Sequence, residues 1–441
     1  MHLRQILLAA ALASAGAIAL ADGPVYDAKS FGAKGDGVTK DTGALQAAID
    51  SCAVTGGTVR LQDGVFLSGM VTLRSNVHLE IDATATLKGT QDDADYPDTT
   101  PRSDNRELGS CRKTLVYAEG ASNVTIDGGG TIDGNGKKPE WMRPYTERPE
   151  RTRPMAIYVV QSSHVAIRDL AVKDAAMWAV VALETDDVEV ARLNVDTPLG
   201  VTRDGIDLVD CHRALVEGCT IFSGDDAICL KTGTARGLED VTVRKNHIRQ
   251  STVANGLKLG TASRGGFHRV TFEDIVVENC DKAAMAVESV DGAPVTSITF
   301  RGIEVHDTGT AVFVLLGLRS GGKVGSIDGV TFEHIRADRM KHSWGSAISG
   351  TTLDGKTYPL RNVTFEDVHL TYEGEQSSIP ADPPEYAGQY PDPNLWETLP
   401  AAGLFVRHVE GLTLHDSTIQ VHGHDARSAI VERDVTRVRA P

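Results

Sequence analysis

The chain contains few long amphipathic helical patterns, which argues against a bundle or a layered α/β architecture. Positive charge is in deficit: 44 Lys and Arg stand against 60 Asp and Glu, a net charge of −16. That balance argues against a nucleic-acid partner. It also repels an anionic polysaccharide unless basic residues cluster locally. Beyond residue 20 there is no apolar run long enough to span a membrane, so no membrane partner is expected. No Cys or His spacing resembles a zinc site, and neither a metal nor a cofactor is expected. Cysteine is sparse: Cys52, Cys111, Cys211, Cys219, Cys229 and Cys280. The even count permits disulfides in an oxidising compartment. Cys211, Cys229 and Cys280, however, sit in strand-like runs and read as buried thiols.

What the chain does contain is an imperfect repeat. A polar residue is followed by Val or Ile, Thr and an apolar residue. It reads Asn123-Val124-Thr125-Ile126, Asp240-Val241-Thr242-Val243, Arg269-Val270-Thr271-Phe272 and Ser297-Ile298-Thr299-Phe300. It returns at Gly329-Val330-Thr331-Phe332 and Asn362-Val363-Thr364-Phe365, with weaker copies at Val165, Val188 and Leu412. Between Val165 and Val363 the spacing is roughly 23 to 33 residues, a period that signifies a solenoid. The units are short, β-branched and alternating, and Gly, Asn and Asp punctuate them. The expected fold is therefore all-β: one right-handed parallel β-helix domain over residues 22–441. Residues 42–53, with Leu45, Ala48, Ile49 and Cys52 on one face, read as a short helix capping its open N-terminal end.

Within this repeat, Asp225 and Asp226 are adjacent, and Asp204 lies one coil upstream. Adjacent residues on a regular strand face opposite sides, so a pair serving one site needs a local turn, which Gly224 permits. Aligning Ile206-Asp207-Leu208 with Ile228-Cys229-Leu230 and Leu257-Lys258-Leu259 stacks Asp204 on Asp226, with Asn255 next. Three carboxylates then converge, and like charges held close push their pKa values apart, as acid–base work requires.

These motifs resemble glycoside hydrolase family 28, the polygalacturonase-like enzymes. That family carries Asn-Thr-Asp, Gly-Asp-Asp, Gly-His-Gly and Arg-Ile-Lys in order. Here Thr202-Arg203-Asp204 keeps the last residue of the first motif, and Gly224-Asp225-Asp226 matches the second. Asn255 stands in place of the histidine, and Ala286-Val287-Glu288 in place of the fourth motif. The stretch from Phe31 to Thr42 is also typical of pectin-active β-helix proteins. The resemblance implies inverting hydrolysis of pectic polysaccharide, with Asp225 as general acid and Asp204 and Asp226 holding the water. The expected partner is a pectic polysaccharide or oligosaccharide substrate, and the protein is expected to be a monomer.

The departures bear on specificity. A glutamate at 288 repels a uronate by about 1–4 kcal/mol for a charge pair about 4 Å apart. Lys258, in register with Ala286, and Arg203 are candidates to restore positive charge. Either the uronate is rebound through Lys258, or that subsite takes a neutral sugar, as in a rhamnogalacturonan-type hydrolase. Lys137, Lys138, Arg143, Arg148, Arg151 and Arg153 cluster around Trp141 and Tyr145. This loop is either a cleft rim touching acidic sugars or a solvated loop laced with ion pairs. Trp141 is placed with Arg203, Asn255, Lys258 and Glu288 among the substrate-binding candidates. The Pro-rich stretch 379–400, with Tyr386, Tyr390 and Trp396, reads as an ordered loop against the solenoid, a candidate cleft wall. A calcium-dependent lyase and a non-catalytic polysaccharide-binding β-helix are the alternatives from other classes.

At the N-terminus, Arg4 precedes an apolar run, and Ala19-Leu20-Ala21 offers a small-residue cleavage site. Residues 1–21 are therefore expected to be a secretory signal, and the mature protein secreted or periplasmic.

Overall fold

The computed structural model describes residues 23–105, 112–143, 145–147, 152–320, 322–341, 344–396 and 398–438. The expected signal segment, Cys111, Arg148 and Arg151 lie outside them. Among the described residues thirty-three strands join one continuous sheet that winds into a parallel β-helix. Among the described residues no helix is long and apolar enough to cross a membrane.

The repeated phrase forms one face of the coil. Val165, Val188, Ala214, Val241, Val270, Ile298, Val330, Val363 and Leu412 pair in succession, each directly over the last. The polar residue before each phrase has a structural cause. Asn123, His164, Asp187, Arg213, Asp240, Arg269, Ser297 and Asn362 all have φ near +55°, in the αL region (44–62° among the described non-glycine examples). Each turns the chain into this face, and Asn and Asp tolerate that conformation best. Arg213 and Arg269 are costlier there, but each is bound to the aspartate one coil before it, Asp187 and Asp240.

Parallel stacking puts like residues on like inside the coil. Phe272, Phe300, Phe332 and Phe365 form a buried ladder with ring centroids 4.6, 5.3 and 4.9 Å apart. Each such contact adds about 0.5–1.5 kcal/mol beyond burial. The helix α1 (Thr42–Thr55) covers the N-terminal end and buries Leu45, Ala48, Ile49 and Cys52, the four residues its periodicity selects.

A second face carries the site. It is built from β1 (Val180–Leu183), β2 (Ile206–Val209), β3 (Ile228–Thr232) and β4 (Leu257–Ser263). It continues through β5 (Ala283–Ser289), β6 (Thr310–Leu316), β7 (Ser346–Ser349) and β8 (Ala401–His415). Ile206, Ile228 and Leu257 pair in register, as do Asp207, Cys229 and Lys258. The first row enters the core. Alternation then turns the second row outward. Val209 pairs with Lys231, so Lys231 shares the outward side. After Leu259 the register between β3 and β4 shifts, a bulge of the kind that redirects side chains beside functional sites.

Among the described residues the cysteines do not crosslink. Cys52, Cys211, Cys219, Cys229 and Cys280 are all buried free thiols, so the permitted disulfides are not formed among the described residues. Burial pushes Cys211 and Cys280 up to about 12, which makes them inert.

Candidate active site

Asp225 and Asp226 sit in the turn leading into β3, and two glycine-dependent close approaches shape it. A Cβ on Gly224 would lie 2.3 Å from the Gly200 carbonyl oxygen, and one on Gly205 would lie 2.5 Å from that of Ala227. Gly224 is therefore required for close packing of neighbouring coils rather than for an unusual φ. The backbone N–H groups of Gly224 and Asp225 both donate to the Arg203 carbonyl, which pins the turn to the preceding coil. One oxygen each from Asp204, Asp225 and Asp226 lie within 4.8 Å of one another. The stack read from the sequence is present, and Asp225 is the partly exposed member.

Each carboxylate has a different environment. Asp226 accepts hydrogen bonds from the Asn255 backbone N–H (3.0 Å) and side-chain amide (2.8 Å), and from Lys258 Nζ (3.1 Å). Burial raises its pKa, but Lys258, Lys231 and Asn255 outweigh this and hold it at about 2. Asp225 accepts from the N–H of Thr202 (2.7 Å) and from its neighbour Asp226 (2.9 Å). Burial and the Asp226 charge still push its pKa up. Asp204 is raised well above the usual range by burial and by Asp207, against the pull of Lys231. Two adjacent aspartates thus take opposite protonation preferences, which is what an acid and a base in one site need.

Lys231 and Asp207 are the residues that the sequence analysis did not nominate. Lys231 Nζ lies 3.0 Å from Asp204 and also donates to Asp207, which is fully buried. It rests 4.3 Å from the centre of the Trp178 ring. The available signal was register: Asp207 and Lys231 are charged residues on the outward positions of otherwise apolar strands.

Asn255, Lys258 and Glu288 are brought to the site, but not as open binding groups. Lys258 is 3% exposed and bridges Asp226 and Glu288, the latter at 3.6 Å. Glu288 is 1% exposed and accepts from Thr261 Oγ1 at 2.9 Å. Burial, partly offset by Lys258, pushes Glu288 up to about 7. Its folded pKa is above its unfolded one, so the native state holds the extra proton between about 4.5 and 7. Its contribution to stability is therefore lost as pH rises through that window. Glu288→Gln removes the titration. Its melting temperature is expected to gain on wild type as pH goes from 5 to 8, and parallel curves would count against the burial argument.

Trp141 and Arg203 require correction. Trp141 is fully buried, donating from Nε1 to Asp93 (3.1 Å) and packing edge-on against Tyr96, so no ring face is left for a sugar. Arg203 is buried and donates to the Trp141 carbonyl at 3.1 Å. It ties the 139–142 turn to the coil rather than presenting charge to the Asp oxygens. Lys138 is likewise paired, with Asp93, and Lys137 with Asp174. The ion-paired alternative fits this part of the basic loop. An aromatic does reach the site from elsewhere: Tyr390, half exposed, has its hydroxyl 3.4 Å from Lys258 Nζ.

The same carboxylates have metal-ligand spacing: Asp204 with Asp225 and Asp226, and Asp204 with Asp207 and Cys229. Lys231 already pairs with Asp204 and Asp207, and Lys258 with Asp226, so a cation at these three carboxylates would have to displace ammonium contacts.

The chain is 28% identical over 293 residues to a probable polygalacturonase of Vitis vinifera, covering 62% of this chain and 59% of the relative. It is 25% identical over 348 residues to an exo-poly-alpha-D-galacturonosidase of Dickeya chrysanthemi, covering 60% of this chain and 56% of the relative. The chain thus spans less than two thirds of the length of these relatives. The solved exopolygalacturonase of Thermotoga maritima shares the fold, with a TM-score of 0.68 at 21% identity, over 80% of this chain and 88% of that one. The family model for glycosyl hydrolases family 28 matches residues 53–387, most of the chain, and the protein belongs to that family.

Proposed function

We propose that the protein hydrolyses glycosidic bonds in galacturonate-containing pectic chains, with Asp225 as general acid and Asp226 with Asp204 holding the attacking water. The observation that carries this is the clustering of three carboxylates with divergent protonation preferences, one of them partly exposed. A protonated Asp225 can give its proton to the leaving oxygen, while ionised Asp226 accepts one from water. Inversion at the anomeric carbon is the expected outcome. The oxygen separation, under 4.8 Å, is shorter than the roughly 6.5–9.5 Å between carboxyl groups usual in inverting enzymes. Anomeric analysis of the first product by NMR is therefore the test of this step, and net retention would require a covalent intermediate instead. Activity is expected to be unchanged by EDTA. Loss in EDTA restored by calcium, with unsaturated product, would support the lyase alternative.

A second reading concerns the sugar at the subsite beside β5. Lys258 is already engaged by Asp226 and Glu288, and Lys282 by Asp392 at 2.7 Å. Neither offers an unpaired charge to a uronate, which supports a neutral sugar such as rhamnose there. Comparing kcat/KM on homogalacturonan and rhamnogalacturonan oligosaccharides decides between them. Secretion to the periplasm or medium, and action as a monomer, belong to the same proposal. Mass analysis of the mature chain and its sedimentation would test them.

A further inference from the structure

The outward side of β5 to β8 is not open. Ala286, Phe313, Leu315, Ala347 and Phe405 form an apolar strip, and Trp396 and Leu399 from the segment 375–400 bury it. The Trp396 ring meets Phe313 edge-on at 5.8 Å. The segment is fastened at both margins of the sheet. At one, Glu385 accepts from Thr351 (3.1 Å) and meets His408 (3.0 Å). At the other, Lys282 donates to Asp392 (2.7 Å). Between these, the Leu318 N–H donates to the Ala387 carbonyl, and beside the first anchor Arg407 Nη1 donates to the Pro383 carbonyl. The segment is a strap laid obliquely across the face. Tyr390, close to the Asp392 anchor, stops over Lys258, whose strand pairs directly with that of Cys229. From the Asp226 coil to this wall is on the order of one to two coil spacings, about 5–10 Å, the length of one or two sugar rings.

We infer that the groove is blind on its C-terminal side, so that the enzyme acts at chain ends, with the terminal sugar lodged against Tyr390. This rests on the pectic hydrolase reading above. A continuous polymer lying along the face would have to pass through the Trp396–Phe313 packing, whereas a chain end needs only the space before the wall. Tyr390 suits that role. It is 50% exposed, and Lys258 and Arg319 lie 5.6 and 5.8 Å from its ring centre, so its orientation is constrained while one side stays wet. Arg319 is itself held by Asp291 at 2.7 Å.

The test compares galacturonate polymers of several lengths at equal total mass, following reducing ends, viscosity and product sizes. The expected result is a rate proportional to the number of chain ends, one short product, and little viscosity loss per bond cut. Tyr390→Ala is expected to raise KM on short oligosaccharides about tenfold with a smaller change in kcat. Replacing residues 385–391 by a Gly-Ser linker is expected to raise viscosity loss per bond cut. If that variant does not fold, the wild-type length series decides alone. Random mid-chain products from wild type would overturn the blind groove and leave hydrolysis intact. No hydrolysis of either long or short pectic chains would overturn the functional reading, and the blind groove with it.

Discussion

Asp225→Asn is expected to lower kcat by at least about 100-fold, the typical contribution of a general acid or base, with the fold retained. Asp226→Asn and Asp204→Asn should do the same. The three differ in how they should fail. Lys258, Lys231 and Asn255 outweigh burial and hold Asp226 low, at about 2, so it is the ionised member of the pair. Asp225 is raised, and the proposed mechanism needs it protonated. Activity should therefore fall as pH rises through the Asp225 pKa, and this alkaline limb should vanish in Asp225→Asn. Substrates with a good leaving group need little proton donation, so they should rescue Asp225→Asn but not Asp226→Asn. A variant that keeps more than half of wild-type activity would remove its residue from the mechanism.

The largest stability effect is expected at Lys231. Lys231→Met leaves Asp204 and Asp207 buried without their shared cation, and breaking a buried pair this way costs about 3–5 kcal/mol. The loss should depend on pH with a definite sign. With the cation removed, the two carboxylates bind protons more readily in the folded state. In wild type burial raises Asp207, and Lys231 already pulls it back down to about 6, so without Lys231 the pKa lies higher. The variant should recover part of its stability as pH falls, beginning above about 6. Urea unfolding at pH 5 and pH 8 checks this. Equal losses at both would mean that Lys231 acts through packing on Trp178 rather than through charge.

Much of the fold was legible because a solenoid repeats its constraints. Each coil needs an αL turn before an apolar strand, so a polar residue or glycine followed by a β-branched residue and Thr marks most copies. Registration of Ile206, Ile228 and Leu257 followed from that pattern, and it brought Asp204, Asp226 and Asn255 together. The helix α1 was legible because four apolar residues share one face. What failed to show was the direction of charged side chains. Lys231 and Lys258 carry the same local pattern as exposed lysines, yet both are buried against aspartates contributed by other coils. Trp141 was misplaced for a related reason. A loop sequence shows that an aromatic is present, but whether it covers the core or faces solvent depends on Tyr96 and Asp93, far away in the chain. Tyr390 was visible as part of a possible wall; only the fold brings it back to Lys258.

The central claim is that these aspartates add water across a glycosidic bond. The most direct measurement is the mass balance of a purified galacturonate oligosaccharide digested by wild type and by Asp225→Asn. Hydrolysis predicts product masses that sum to the substrate plus one water, with no absorbance from a new double bond, and loss of nearly all turnover in the variant. Masses that sum to the substrate alone, with an unsaturated product, or undiminished turnover in Asp225→Asn, would contradict it.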